Sequence, residues 1–481
     1  MIEEKQISRI VEQVLKELGS KTNPCSQSSR RWLGVFDTME GALAAAEKAY
    51  EMFRNYSIEQ REKIISAIRK LTLENAEVMA KMAVEETGMG NVYHKILKHQ
   101  LVANKTPGTE DLSTAAWSGD RGLTLVEMAP YGVIGAITPS TNPSETVICN
   151  SIGMIAAGNA VVFNPHPHAV NVSNYAVDLV NRAIASAGGP ENLVCSVYKP
   201  TLQTADVMMK HPSVKLLVAT GGPGVVKALL SSGKKAIGAG AGNPPVIVDE
   251  TADIKKAAKD IIDGATFDNN LPCIAEKEVF ALEEIADELI HYMQQNGAYL
   301  IKGQEIDKLV KVVLTEKEEQ QGEGCTDRPK RKLMINKKWV GKDAALILKE
   351  IGITVGNDIR CIICETDADH PFVMEELMMP ILPIVRVKNL EDAIRLAVKA
   401  EHGNRHTAHM HSKNIDNLTK FAKAIGTTIF VKNAPSYAGI GVDSEGYTTF
   451  TIAGPTGEGL TSAKTFTRQR RCVLVDSLSI V

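Results

Sequence analysis

Apolar and polar positions change their period along the chain, and the changes divide it. In "MIEEKQISRIVEQVLKEL", Ile7, Ile10, Val11, Val14, Leu15 and Leu18 recur at helical spacing, while Glu3, Glu4, Lys5, Arg9, Glu12 and Lys16 are polar. This predicts an amphipathic helix over residues 1–18. The polar run "GSKTNPCSQSSRR" reads as a flexible tether, over residues 19–34. A short helix on a tether cannot bury its own stripe. Two readings stand on pattern alone: it folds back on the body or a sister subunit, or it docks elsewhere as an encapsulation peptide.

From Asp37 to about Leu101 the period is helical, and "SIEQ" (Ser57 to Gln60) has the capping-box form. The period then shortens. "GVIGAITP" (Gly132 to Pro139), "NAVVFNP" (Asn159 to Pro165), "VKLLVATG" (Val214 to Gly221) and "PPVIVDE" (Pro244 to Glu250) are near-continuous apolar runs, with helical segments such as Ala169 to Ala187 between them. They predict a buried, doubly wound parallel sheet. A second α/β pattern runs from about Ala252 to Ile429, with "KEVFAL", "RCIICE" and "PIVRV" as strands. The Thr- and Gly-rich tail from Tyr447, together with "LTLVEMAP" (Leu123 to Pro130), predicts a protruding β arm.

Composition narrows the function classes. A chain of 481 residues is too long for one core, so two or three domains are expected. A net charge of -3 gives no general pull toward nucleic acid or anionic membrane, and Arg468, Arg470 and Arg471 form too short a cluster to change that. Eight scattered cysteines are no disulfide framework and point to a reducing compartment. No apolar stretch approaches the roughly 20 residues that span a bilayer, and the first residues lack the apolar core of a secretory signal. A cytoplasmic location, or the inside of a cytoplasmic body, is expected.

Four stretches carry candidate chemistry. "VATGGPGVVKALL" is a strand, a Gly-rich turn and a helix, a form that lets backbone amides approach a phosphate; a plain βα turn has the same form. "AITPSTNPSETV" sets hydroxyls and an amide at a strand's C-terminal end, where α/β sheets bind ligands, and Thr141 and Asn142 offer donors for an oxyanion. Cys273, after Pro272 at a break in the helical pattern, is placed for presentation, although a lone cysteine is usually a small buried hydrophobe. The stretch "EHGNRHTAHMHS" holds His402, His406, His409 and His411, read as structural or substrate-lining because no ligand set with zinc spacing accompanies them. "CIIC" (Cys361 to Cys364) lies within an apolar strand and reads as core.

In order along the chain, "TPSTNP", "FNPHP", "GGPENL", "TGGPGVV", "GAGAGNPPVIVDETADI", Cys273, "EELMMPILPIVRV" and "GPTGEGLTSAKTFTRQRRC" resemble the aldehyde dehydrogenase superfamily over nearly everything after Leu33. "TPSTNP", "GAGAGNPP", "FDNN" and "PTGEG" are similar to its CoA-acylating branch, the acetaldehyde and propionaldehyde dehydrogenases of bacterial microcompartments. The resemblance implies an α/β fold with a Rossmann-type cofactor domain (35–115 and 131–240), an α/β catalytic domain (241–440) and an oligomerising β arm (116–130 and 441–481). It favours the encapsulation reading of residues 1–18, hence partners in the microcompartment shell or core and a lumenal location. It also implies a homodimer or a dimer of dimers.

Carried over residue by residue, the resemblance implies Cys273 as nucleophile. Thr138, Pro139 and Ser140 would lie along NAD. Asn164, Pro165 and His166 take the place of an adenosine-ribose contact from which the wider superfamily's lysine is missing. Thr220, Gly221 and Gly222 would lie near the phosphates, and Glu376 would hold the nicotinamide ribose. The oxyanion asparagine corresponds to Thr141 by strict offset and to Asn142 by chemistry; Asn142 is preferred. Hydrolytic members carry a glutamate base where this chain has "IGAGAGN" (Ile237 to Asn243), without a carboxylate. Transfer to coenzyme A is therefore expected. The competing readings are a hydrolytic aldehyde dehydrogenase and a non-catalytic microcompartment adaptor.

Overall fold

The computed structural model describes residues 32–318 and 331–480. The helix expected over 1–18 and nearly all of the tether lie outside the described residues. The chain divides into two compact units, one with Lys95–Gly240 and Gly446 onward besides the N-terminal residues through Thr87, the other with Gly88–His94 and Ala241–Glu445.

In the first unit the expected capping box forms. The Ser57 amide donates to Gln60 Oε1 (2.8 Å) and the Gln60 amide to Ser57 Oγ (3.2 Å), starting the helix Ile58–Thr87. Six parallel strands follow the order Val35–Phe36, Val194–Val197, Ala160–Asn164, Val133–Ile137, Val214–Thr220, Ala236–Ala239. The strand Val133–Ile137 pairs with Ala160–Asn164 on one side and Val214–Thr220 on the other, so the winding reverses there. The segments that follow Ile137 and Thr220 leave the same sheet edge side by side, at a topological switch point. Ile134, Val161, Phe163, Leu216 and Val218 are buried, under helix residues such as Ile148, Ile152, Val177 and Ile184. Cover on both faces is why these strands read as continuous apolar runs.

An antiparallel sheet of Ala115–Gly119, Gly122–Pro130 and Thr467–Val475 stands where the β arm was expected. The arm is shorter than the pattern suggested. Residues 447–466 are instead tied to the body of the first unit, where Thr451 Oγ1 donates to Asn150 Oδ1 at 3.1 Å and lies 2.8 Å from Thr220 Oγ1.

The second unit has seven parallel strands in the order Ala298–Ile301, Cys361–Glu365, Ile381–Val387, Glu278–Leu282, Pro245–Val248, Thr407–His411, Ile429–Lys432. "PPVIVDE", grouped above with the first sheet, belongs here, its Val246 paired with Val279 and His409. Its pattern marks a strand covered on both faces and carries no information about which sheet it joins. Cys361 and Cys364 are core, and burial pushes both thiols up to about 12. No helix among the described residues is long and apolar enough to cross a membrane.

Candidate active site

In the first unit, Thr138 follows the end of strand Val133–Ile137. It is buried, and its Oγ1 meets no partner among the described residues. Pro139 and Ser140 are half-buried beside it. This segment is fastened by two buried lysines of helix Val92–Lys105. Lys95 Nζ donates to the Thr141 carbonyl (3.1 Å), and Lys98 Nζ donates to Asn142 Oδ1 (2.5 Å) while facing the Glu145 carboxylate at 3.3 Å. Burial would raise the Glu145 carboxyl, but the charges of Lys98, His99 and Lys95 outweigh it and bring it down to about 2. An ammonium only donates, so the Asn142 amide must turn its oxygen toward Lys98 and keep its NH2 for another acceptor. That orientation suits an oxyanion donor. Thr141 Oγ1 lies 3.4 Å from Asn142 Nδ2, where it can accept from it.

The neighbouring strand ends at Asn164, whose Oδ1 accepts from Thr204 Oγ1 (2.6 Å). Pro165 is buried, and half-buried His166 accepts the His168 amide proton at Nδ1 (3.1 Å). Thr220 Oγ1 is 2.8 Å from Thr451 Oγ1. A Cβ added at Gly221 or Gly222 would meet nothing within 4 Å, so these glycines face open space ahead of the helix Pro223–Leu230. The sheet thus brings Thr138–Asn142, Asn164–His166 and Thr220–Gly222 to one edge. The unpartnered Thr138 hydroxyl and the open glycine turn fit a dinucleotide.

In the second unit, Ile381–Val387, Glu278–Leu282, Pro245–Val248 and Thr407–His411 are four consecutive neighbours. Just ahead of them stand Glu376, Cys273 with Lys277, Gly242 and His406, gathered at the N-terminal edge of the sheet. Cys273 is half-buried in a turn. It follows Asp268, Asn269 and Asn270, all left-handed (φ 49°, 55° and 65°), a conformation that Asp and Asn tolerate best after glycine. Asn270 Nδ2 donates to the Ala265 and Glu276 carbonyls, both at 2.9 Å. Buried Lys277 donates to the Asn270 carbonyl (2.9 Å), to Asn270 Oδ1 (2.6 Å) and to the Pro272 carbonyl (3.4 Å).

Gly242 permits close approach. Its ideal Cβ would lie 2.7 Å from the Cys273 carbonyl oxygen and 2.9 Å from His406 Cγ, so a side chain there must displace one of them. Half-buried Glu376 accepts the Gly242 amide; burial pushes its carboxyl up to about 7, against the pull of Lys277 and of that amide. His406 is buried, with Nδ1 2.8 Å from Thr407 Oγ1 and Nε2 without a partner among the described residues. Burial, then the charge of Lys277, brings its ring down to about 4, so it is neutral at pH 7. His409 and His411 are buried within their strand, and burial brings each down to about 3. Exposed His402 bonds the Met374 carbonyl (2.8 Å).

Sequence reasoning passed over Lys277, Gly242, Lys95 and Lys98, and it gave His406 no particular role. One signal was available. Lys95 and Lys98 share the buried face of their helix with Leu101 and Val102, and a charge on an apolar stripe asks for a buried partner.

Comparison with known proteins gives these features a setting. The family model described as "Aldehyde dehydrogenase family" matches residues 34–447. The chain is 47% identical over 479 residues to the acetaldehyde dehydrogenase (acetylating) EutE of Salmonella typhimurium, covering 99% of this chain and 100% of that one. A propionaldehyde dehydrogenase from the fucose utilisation bacterial microcompartment of Clostridium phytofermentans superposes with a TM-score of 0.89 at 63% identity, covering 93% of this chain and 100% of its own. A Rhodopseudomonas palustris propionaldehyde dehydrogenase, solved with bound CoA and an acylated cysteine, gives a TM-score of 0.88 at 56% identity, covering 93% and 99%. With a match this extensive, on a chain that sets a half-buried cysteine beside a glycine in one unit and an open glycine turn in the other, this protein belongs to the aldehyde dehydrogenase family.

Proposed function

We propose that the chain catalyses the CoA-acylating oxidation of a short aldehyde, acetaldehyde or propionaldehyde, through a thioester on Cys273. The observation that carries this reading is Cys273 half-buried in a clamped turn, beside Gly242 in a stretch, Ile237 to Asn243, without a carboxylate. The Cys273 thiolate attacks the aldehyde carbon and forms a thiohemiacetal. The Cys273 backbone N–H serves as a donor to the oxyanion; Asn142, whose Oδ1 accepts from Lys98 and whose NH2 remains a donor, is the oxyanion residue that the resemblance implies. NAD+, when bound, supplies the hydride acceptor. Thr138, Pro139, Ser140, Asn164, Pro165, His166, Thr220, Gly221 and Gly222 would hold it, and Glu376 would take the nicotinamide ribose.

The second half-reaction moves the acyl group to coenzyme A. Water, with a pKa of about 15.7, needs a base to attack the thioester. A thiol near 8.5 needs far less help, so the step does not call for a carboxylate base in this stretch. Acyl-CoA and NADH are the products, formed in a ping-pong sequence. Substitution Cys273→Ala should abolish aldehyde-dependent NADH formation, and retained activity would reject the assignment. With CoA omitted, the wild type should stop after about one NADH per chain, as a thioester without an acceptor requires. Continued turnover would instead indicate hydrolysis.

Residues 1–18 are assigned as the peptide that places the enzyme in a microcompartment lumen. Their deletion should leave kcat and KM unchanged while the enzyme no longer co-sediments with shells.

A further inference from the structure

Lys277 is the one lysine buried in the turn that carries the nucleophile, and the acylation chemistry above leaves it without a task. Three acceptors surround its ammonium, Asn270 O, Asn270 Oδ1 and Pro272 O, and all three belong to the segment leading into Cys273. We propose that Lys277 is a positioning residue for the nucleophile, clamping the Cys273 turn and setting its ammonium toward the ionised sulfur. Burial lowers the pKa of that ammonium.

Two physical arguments support it. The Pro272 carbonyl belongs to the same peptide unit as the Cys273 N–H. An ammonium on that carbonyl fixes the plane of the unit and polarises it, so the N–H at its other end is a stronger donor. The Ala275 amide, bonded to the same carbonyl at 3.0 Å, closes the turn around it. The second argument is charge. The groups facing Lys277 are Glu376, Cys273, Glu278 and Glu276, and His406 also feels its charge. Glu278 is buried with no partner for either oxygen among the described residues, and burial pushes its carboxyl well above the ordinary range, which favours the uncharged form. Glu276 is pushed up to about 8 by burial and bonds the Ser436 amide at 2.8 Å. His406 is neutral. Burial thus raises all three carboxyls and weakens their competition with the sulfur for the ammonium. A cation beside a thiol favours the thiolate.

The inference rests on Cys273 being the nucleophile, and the test separates the two. Alkylation of the full-length enzyme by iodoacetamide, followed from pH 5 to 10 with loss of the Cys273 peptide as readout, reports the ionised fraction. Cys273→Ala provides the blank and, in the dehydrogenase assay, tests the nucleophile assignment on its own. Wild type should titrate below the ordinary thiol value of about 8.5. Lys277→Met should move the profile upward and slow alkylation at pH 7 roughly tenfold, as one pKa unit requires. Lys277→Gln, which keeps donors but no charge, should show the same upward shift with less loss of kcat. A profile unchanged in either variant overturns the inference. If both variants fail to fold, the wild-type titration decides: a Cys273 thiol at or above about 8.5 overturns it.

Discussion

Glu276 shows how one buried carboxyl is tied to stability. Burial pushes it up to about 8, and its Oε1 accepts the Ser436 amide at 2.8 Å while Oε2 has no partner among the described residues. Its pKa in the unfolded chain is about 4.3, so the folded state prefers the protonated form. That preference is fully expressed below the unfolded value and is lost as pH rises through about 8. Buried His406, His409 and His411, brought down to about 4, 3 and 3, act in the opposite sense below the ordinary imidazole value of about 6.5. The Glu276 contribution is therefore read between pH 7 and 8: Tm should fall with pH there, and Glu276→Gln should make the slope shallower. The sequence showed Cys273 plainly, since a proline and a break in period flank it. It did not show Glu276, Lys277 or Glu278, because consecutive charged letters normally mean a solvated surface, and here all three are buried ahead of or within a central strand.

Among the elements, the helix Ile254–Ala265 meets the segment just ahead of the strand Glu278–Leu282 at a glycine. A Cβ at Gly264 would lie 2.2 Å from both Glu276 oxygens. Gly264→Ala must therefore push the carboxylate off the Ser436 amide, and the cost should fall in the range of about 1–3 kcal/mol seen for overpacking. Urea unfolding measures it, and Glu276→Ala in the same chain should recover part of the loss; additive losses would show that the two sites do not touch. Strands and helices were the most legible features, since a strand covered on both faces leaves an unmistakable apolar run. Sheet membership was not legible. Pro245–Val248 joined the second sheet because its partners, Glu278–Leu282 and Thr407–His411, lie far away in the chain, beyond the reach of any local pattern.

At the scale of the whole molecule, two parallel sheets use opposite edges. In the first unit the candidate cofactor segments stand at the carboxyl ends of strands, where α/β sheets usually bind ligands. In the second, Glu376, Cys273, Gly242 and His406 stand ahead of four adjacent strands, an arrangement that rule does not anticipate. The resemblance named Cys273 and Glu376, yet no spacing in the chain relates residues 242, 273, 376 and 406. Only the strand order Ile381–Val387, Glu278–Leu282, Pro245–Val248, Thr407–His411 does so.

Thr467–Val475 closes the antiparallel sheet, and among the described residues its outer side pairs with no other strand. Nine residues is long for such a border, and Val473 and Val475 stand 56% and 65% exposed at its far end. Arg468, Arg470 and Arg471 guard the opening half with charge, while Val473 to Val475 have no such guard. An unguarded edge of this kind presents unpaired backbone groups to which another strand can add. Lysines in place of Val473 and Val475 should lower the sedimenting mass without altering the reactivity of Cys273, so quaternary assembly and thiol chemistry can be titrated apart in one preparation.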